Sequence, residues 1–245
     1  AQRDLKRLVA YTSVSHMGFV LLAIFAWNTL ALQGAVLEIV CHAFSTGALF
    51  AIVGLMQERL RTRDMDKMGG LWITAPGMGA VALVFALASL GLPSLGNFVA
   101  EFLILLGSWR VSEPATVLAA LGLVAATIYA LWLVQRVFQG RETPAVTTTD
   151  LTLREGVMLA AMAAPLLWLG VYPQPIFNAV RPGLAALQQQ AIRDPAPPPA
   201  ALVLPPPAIG AVATESTVLG AAATQPVTPG ATVGSGAAAA AGGPQ

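Results

Sequence analysis

Charge is what this sequence has least of. Only 10% of its 245 residues are Asp, Glu, Lys or Arg, while 56% are hydrophobic; an average soluble domain carries about 25% charged residues. A water-soluble globular fold is therefore excluded as the starting expectation. The 13 basic and 12 acidic residues nearly cancel to a net charge of +1, so the basic field that nucleic-acid binding needs is missing. A single cysteine, Cys41, rules out an internal disulfide and a CxxC metal site. Dinucleotide and phosphate-loop fingerprints, a nucleophile elbow and a contiguous metal-ligand pattern are all absent. No catalytic, cofactor-binding or metal-ligating residue is expected in this chain.

Long apolar runs fill most of what remains. A membrane helix needs about 20 apolar residues to cross a core of about 30 Å, and such runs lie at 8–27, 35–57, 115–135 and 156–172. Between the second and third of these, residues 71–109 are apolar but interrupted by Gly91-Leu92-Pro93-Ser94-Leu95-Gly96-Asn97, a string of helix breakers. The dozen residues after it reach only about 18 Å. Helix length favours one broken span over two, giving five crossings within residues 1–175, although two full spans stay open. The polar opening from Ala1 to Arg7 lacks the apolar core and small-residue cleavage site of a signal peptide and reads as an internal loop of a longer protein.

Residues 176–193 carry apolar side chains at near-helical spacing and suggest an interfacial helix. Residues 194–245 are rich in Ala, Pro and Gly, hold ten of the 18 prolines and have no Lys, Arg or aromatic residue; such a segment is expected to be disordered. Ten basic residues fall on the side of the chain start and the loops 58–70 and 135–155, against Arg110, Arg181 and Arg193 on the other. The excess of positive charge on cytoplasmic loops then puts the start of the chain in the cytoplasm and the tail on the outer face. Lys6, Arg7 and the cluster Arg59 to Lys67 are read as topology determinants.

An ionisable group inside a bilayer is costly and asks for a reason. Glu101 follows the helix break, where freed backbone groups can bind ions. His16 is mid-span beside Thr12, Ser13 and Ser15, and His42 shares a helix face with Glu38, Ser45 and Thr46. Imidazoles and a carboxyl in successive spans suit a proton relay, though each could also be a structural group satisfied by a neighbour. Glu38 is secondary, because it lies near the expected helix start, where its side chain could reach the interface. Gly18, Gly34, Gly47 and Gly54 are expected at close helix contacts.

The strings Asp4-Leu5-Lys6-Arg7-Leu8-Val9-Ala10-Tyr11-Thr12-Ser13-Val14-Ser15-His16-Met17-Gly18, Arg63-Asp64-Met65 with Gly69-Gly70-Leu71, and Gly91-Leu92-Pro93 through Gly96-Asn97-Phe98-Val99-Ala100-Glu101-Phe102 closely resemble the subunit M (subunit 4) family of NADH-quinone oxidoreductase, respiratory complex I. The resemblance covers residues 1 to about 190 and corresponds to the last five of fourteen membrane helices. It implies an all-α polytopic helix bundle built from antiporter-like inverted repeats, each with a broken helix, here 71–109. It further implies a proton path of Lys, His and Glu driven by quinone reduction in other subunits of a bacterial inner-membrane complex. His16 and His42 match the family's histidines and Glu101 its broken-helix carboxylate, where related antiporter-like subunits usually carry lysine. NADH, FMN, iron-sulfur clusters and quinone are implied on partner subunits, and the partners are the other membrane subunits and the bilayer. The family's essential upstream glutamate and lysines have no counterpart in this sequence. A sodium/proton antiporter, a membrane-bound hydrogenase subunit and a purely structural subunit are the alternatives.

Overall fold

A computed structural model describes residues 2–139 and 148–193, and the tail expected to be disordered lies outside the described residues. Eight α-helices occur among them: α1 (Leu5–Ala26), α2 (Thr29–Leu60), α3 (Leu71–Thr74), α4 (Pro76–Ser89), α5 (Gly96–Trp109), α6 (Glu113–Val134), α7 (Leu153–Val171) and α8 (Gln174–Arg193). Four helical stretches, α1, α2, α6 with its π-helical extension to Gln139, and α7, are long and apolar enough to cross a membrane, whereas α4 and α5 are shorter apolar helices.

Local chemistry sets the helix ends. Asp4 caps α1 by accepting the Arg7 amide at 3.0 Å, and Thr152 with Glu155 forms a reciprocal capping box on α7. Asn28 caps α2, its side-chain oxygen taking the Ala31 amide at 3.0 Å. That cap starts α2 at Thr29, six residues before the expected 35, and the helix runs on to Leu60 for 32 residues. At about 48 Å it outreaches a bilayer core. The segment expected at 176–193 is helical from Gln174 to Arg193.

Two ends of the bundle are distinguished by what meets there. At one, which we call the basic end, the Leu5 amide donates to the Arg63 carbonyl and the Met65 amide to that of Arg3, both at 2.9 Å. Asp66 pairs there with Arg3 and Arg136, and Arg59 holds both Glu155 oxygens, at 2.8 and 2.6 Å, and the Thr149 carbonyl. Several basic residues of this end are thus tied into ion pairs that dock the loops on one another. Asp150 lies here too, accepting the Gly77 and Met78 amides at the start of α4 at 2.8 and 2.9 Å. Burial works against its charge, but the Gly77, Leu151 and Met78 amides and the Arg59 guanidinium outweigh it and hold the Asp150 carboxyl below the usual carboxylate range. At the opposite end the Asn28 amide donates to the Gly107 carbonyl at 2.9 Å near the close of α5, and Thr29 bonds Gln188 of α8.

The chain between α4 and α5 leaves helical geometry at Gly91 (φ 67°) and Ser94 (φ 84°), both left-handed. Gly91 is suited to this, having no β-carbon to clash.

Candidate functional site

Small residues bring α2 and α5 together. A β-carbon on Gly34 would stand 2.8 Å from the Ala100 carbonyl oxygen and 2.9 Å from the Ile104 nitrogen, and one on Gly107 2.6 Å from the Ala31 nitrogen. Gly96 likewise abuts the Cys41 sulfur. These pairs run in opposite order along the two helices, so α2 and α5 are antiparallel, and the register sets Glu38 opposite the turn that carries Asn97 and Glu101. Close backbone approach of this kind is the usual service of small residues between membrane helices. Gly47 also serves a contact, with Met162. Gly18 and Gly54 do not: among the described residues nothing lies within 4 Å of where their β-carbons would stand. A glycine facing outward and one facing a neighbour look alike in a sequence.

At that level of the bundle α1 adds His16. Its Nδ1 lies 3.0 Å from Oε1 of Glu101 and 3.5 Å from Oε1 of Glu38, so one imidazole from α1 stands between carboxyls from α5 and α2. The His42 ring is next, 5.1 Å from that of His16 between centroids and tilted by 44°. Thr46, one turn on, holds the His42 ring with its hydroxyl at 3.2 Å. His16, Glu38 and Glu101 are 2%, 0% and 3% exposed, and burial this deep makes an isolated charge untenable. All four residues singled out in the sequence therefore meet at one place.

Glu38 differs from its expected setting. With α2 beginning at Thr29 it lies in the third turn and is fully buried, and among the described residues neither of its oxygens has a hydrogen-bond partner. Asn28 was the legible signal, since an Asn one residue ahead of an apolar run is a strong helix cap.

Two further residues of the site read only as helix breakers in the sequence. Asn97 belongs to the breaker string, yet it is fully buried in the first turn of α5, one turn before Glu101, and its amide donates to Ser45 Oγ at 3.3 Å. Gly91, at the break itself, lies against the site: a β-carbon there would stand 2.7 Å from Oε2 of Glu101. The carboxyl of Glu101 thus has one oxygen on His16 and the other against the turn that ends α4.

A row of imidazoles and carboxyls within contact of one another can accept, hold and pass protons, because each imidazole takes a proton on one nitrogen and releases it from the other.

The family model described as NADH:quinone oxidoreductase/Mrp antiporter, TM matches residues 1–128, which include all four site residues. The chain belongs to this family. The curated members that it resembles include NADH-quinone oxidoreductase subunit M of Pseudomonas aeruginosa, 47% identical over 189 residues, and of Escherichia coli (strain K12), 45% identical over 192. Each alignment takes in 77% of this chain but only 37% and 38% of the relative, so the chain spans little more than a third of their length. Among solved structures, a chain of respiratory complex I from Thermus thermophilus with bound NADH superposes with a TM-score of 0.71 at 33% identity, covering 77% of this chain and 40% of that one. A chain of the Mrp complex from Dietzia sp. DQ12-45-1b reaches 0.64 at 17% identity, over 77% and 42% of the two chains, a likeness of fold alone. The expected fold class, an all-α polytopic bundle of antiporter-like type, is the one found in this family member.

Proposed function

We propose that the chain works as part of a proton-translocating membrane subunit of NADH-quinone oxidoreductase, carrying protons through the cluster of Glu101, His16, Glu38 and His42. The single observation that carries this reading is the His16 imidazole held between two buried carboxyls beside a helix break. Glu101 is the terminal carrier and His16 its direct partner, since 3.0 Å is a hydrogen-bond distance across which a proton passes. Glu38 and His42 extend the row toward α2; at 3.5 Å, transfer between His16 and Glu38 needs a small side-chain adjustment. Quinone reduction in partner subunits drives the transfer, and NADH, FMN, the iron-sulfur clusters and quinone belong to those partners.

We further propose that α4 and α5 make one broken crossing, so that α1, α2, α4 with α5, α6 and α7 cross five times. This rests on the start of α4 meeting Asp150 at the basic end while the close of α5 meets Asn28 at the other. Each is 14 residues, about 21 Å, too short to cross alone. The positive-inside tendency orients the basic end toward the cytoplasm of a bacterial inner membrane, and α8, with Leu187 and Ile192 exposed, lies at the outer interface.

The test uses the full-length protein in its native membrane complex. In inverted vesicles Glu101→Gln is expected to keep NADH oxidation by an assembled complex, verified by in-gel activity on a blue-native gel, while proton uptake per NADH falls. Unchanged uptake removes the relay. Migration of the tagged protein in a smaller complex without NADH-oxidising activity selects instead a cation/proton antiporter or a hydrogenase-type assembly.

A further inference from the structure

We propose that His16, Glu38 and His42 form a binding site for a divalent transition-metal ion of the zinc type, which occupies the cluster in place of protons. One donor atom from each residue lies within 4.8 Å of the other two, and all three residues are buried. A tetrahedral ion with bonds of about 2.1 Å spaces its ligands about 3.4 Å apart, so rotation of side chains by about an ångström closes the set.

The hydrogen bonding already present is of the kind that metal-binding histidines keep. A ligating imidazole usually gives its second nitrogen to a carboxylate or other acceptor, which fixes the ring. His16 has Nδ1 at 3.0 Å from the Glu101 carboxylate, while its buried Nε2 has no partner among the described residues. Both Glu38 oxygens are also buried and unpartnered. The His42 ring is steadied by Thr46, and its place one turn after Glu38 puts both donors on one face of α2. Charge fits as well: Glu38 and Glu101 together balance a dication, so the loaded cluster is neutral in a low-dielectric setting where an uncompensated ion is untenable. Two imidazoles with one carboxylate favour zinc over sodium, magnesium or calcium, which prefer oxygen donors.

Ion binding displaces the protons that these donors would otherwise hold. Loading therefore blocks transfer, a consequence that rests on the proton-relay reading; binding itself does not.

The test is made on the chelator-washed membrane complex containing the full-length protein, titrated with zinc chloride. Bound zinc is counted by elemental analysis and its ligands are read by X-ray absorption. His42→Gln and Glu38→Gln are each expected to weaken one zinc site at least tenfold, with one fewer zinc retained per complex. Equal zinc content and identical spectra in the unaltered and both variant complexes overturn the site. Should either variant fail to assemble, His42→Cys supplies a positive readout: a zinc-sulfur distance of about 2.3 Å appears in its spectrum, and its absence in an assembled complex overturns the proposal. Zinc bound here with proton uptake unchanged leaves the metal site standing and removes the relay. No zinc bound, together with uptake lost in Glu101→Gln, does the reverse.

Discussion

Gly34→Ala tests whether close packing of α2 on α5 is what assembles the site. The added β-carbon would meet the Ala100 carbonyl oxygen at 2.8 Å and the Ile104 nitrogen and Cγ1 at 2.9 Å. Ordinary contact begins near 3.4 Å, so the helices must part by about 0.6 Å, the difference between 3.4 and 2.8. Two of the three obstructing atoms are backbone, and no rotamer change relieves them. Overpacking of this kind costs about 1 to 3 kcal/mol, against a gain of about 0.5 to 1 kcal/mol from replacing a helical glycine. Gly54→Ala isolates that gain, because nothing lies within 4 Å of its new carbon. Thermal unfolding of the detergent-solubilised complex is expected to rank Gly34→Ala below the unaltered protein and Gly54→Ala at or above it. Proton uptake per NADH is expected to fall with Gly34→Ala alone, since Glu38 rides on α2 and Glu101 on α5. Adding Ile104→Ala removes only the Cγ1 obstruction and leaves both backbone ones, so it is not expected to restore either property. A Gly34→Ala complex as stable as Gly54→Ala, with full uptake, refutes the packing argument.

Other changes probe the break and its supports. Gly91→Ala forces a left-handed residue to carry a β-carbon, about 1 to 2 kcal/mol on the backbone alone, and pushes on the Glu101 carboxyl; reduced uptake per NADH with retained assembly is expected. Asn97→Ala removes the buried bond to Ser45, about 1 kcal/mol or a roughly fivefold effect; a slower pumping rate is expected, with partial recovery in Asn97→Ser. Asp150→Ala deprives α4 of its amide acceptor and is expected to destabilise by about 1 kcal/mol. Because the folded state holds the Asp150 carboxyl below its usual range, its contribution is present in full above the unfolded value of about 3.9 and is lost as pH falls through the folded one. Unfolding midpoints of the two proteins should therefore differ near pH 7 and converge toward acid; a difference that persists unchanged at acid pH would exclude this carboxylate as its source.

Helix existence was readable because it rests on local quantities. Run length against bilayer thickness marked the apolar helices, the Gly/Pro/Ser string marked the break, and intramembrane His16, His42 and Glu101 marked themselves by the cost of their burial. Glu38 reads as secondary in the sequence because the apolar run alone starts its helix at 35, six residues after Thr29, where the Asn28 cap starts it. Asn97 was hidden by its own propensity: in a run of breakers an Asn reads as a turn former, and only its neighbours on α2 make it a buried hydrogen-bonding group.

By itself, then, the sequence determined that this is a helical membrane chain with an interrupted hydrophobic run and a few ionisable groups inside it, since hydrophobicity and helix breaking act within a few residues. Tertiary structure alone decided which of those groups touch. Glu101 and His16 are 85 residues apart along the chain, and Asp150 reaches the start of α4 from 73 residues away. The glycines that let α2 approach α5 are chemically the same as those that face outward. Contact between distant residues depends on the register and separation of packed helices, and those are fixed by the sum of many close contacts that no single stretch of sequence contains.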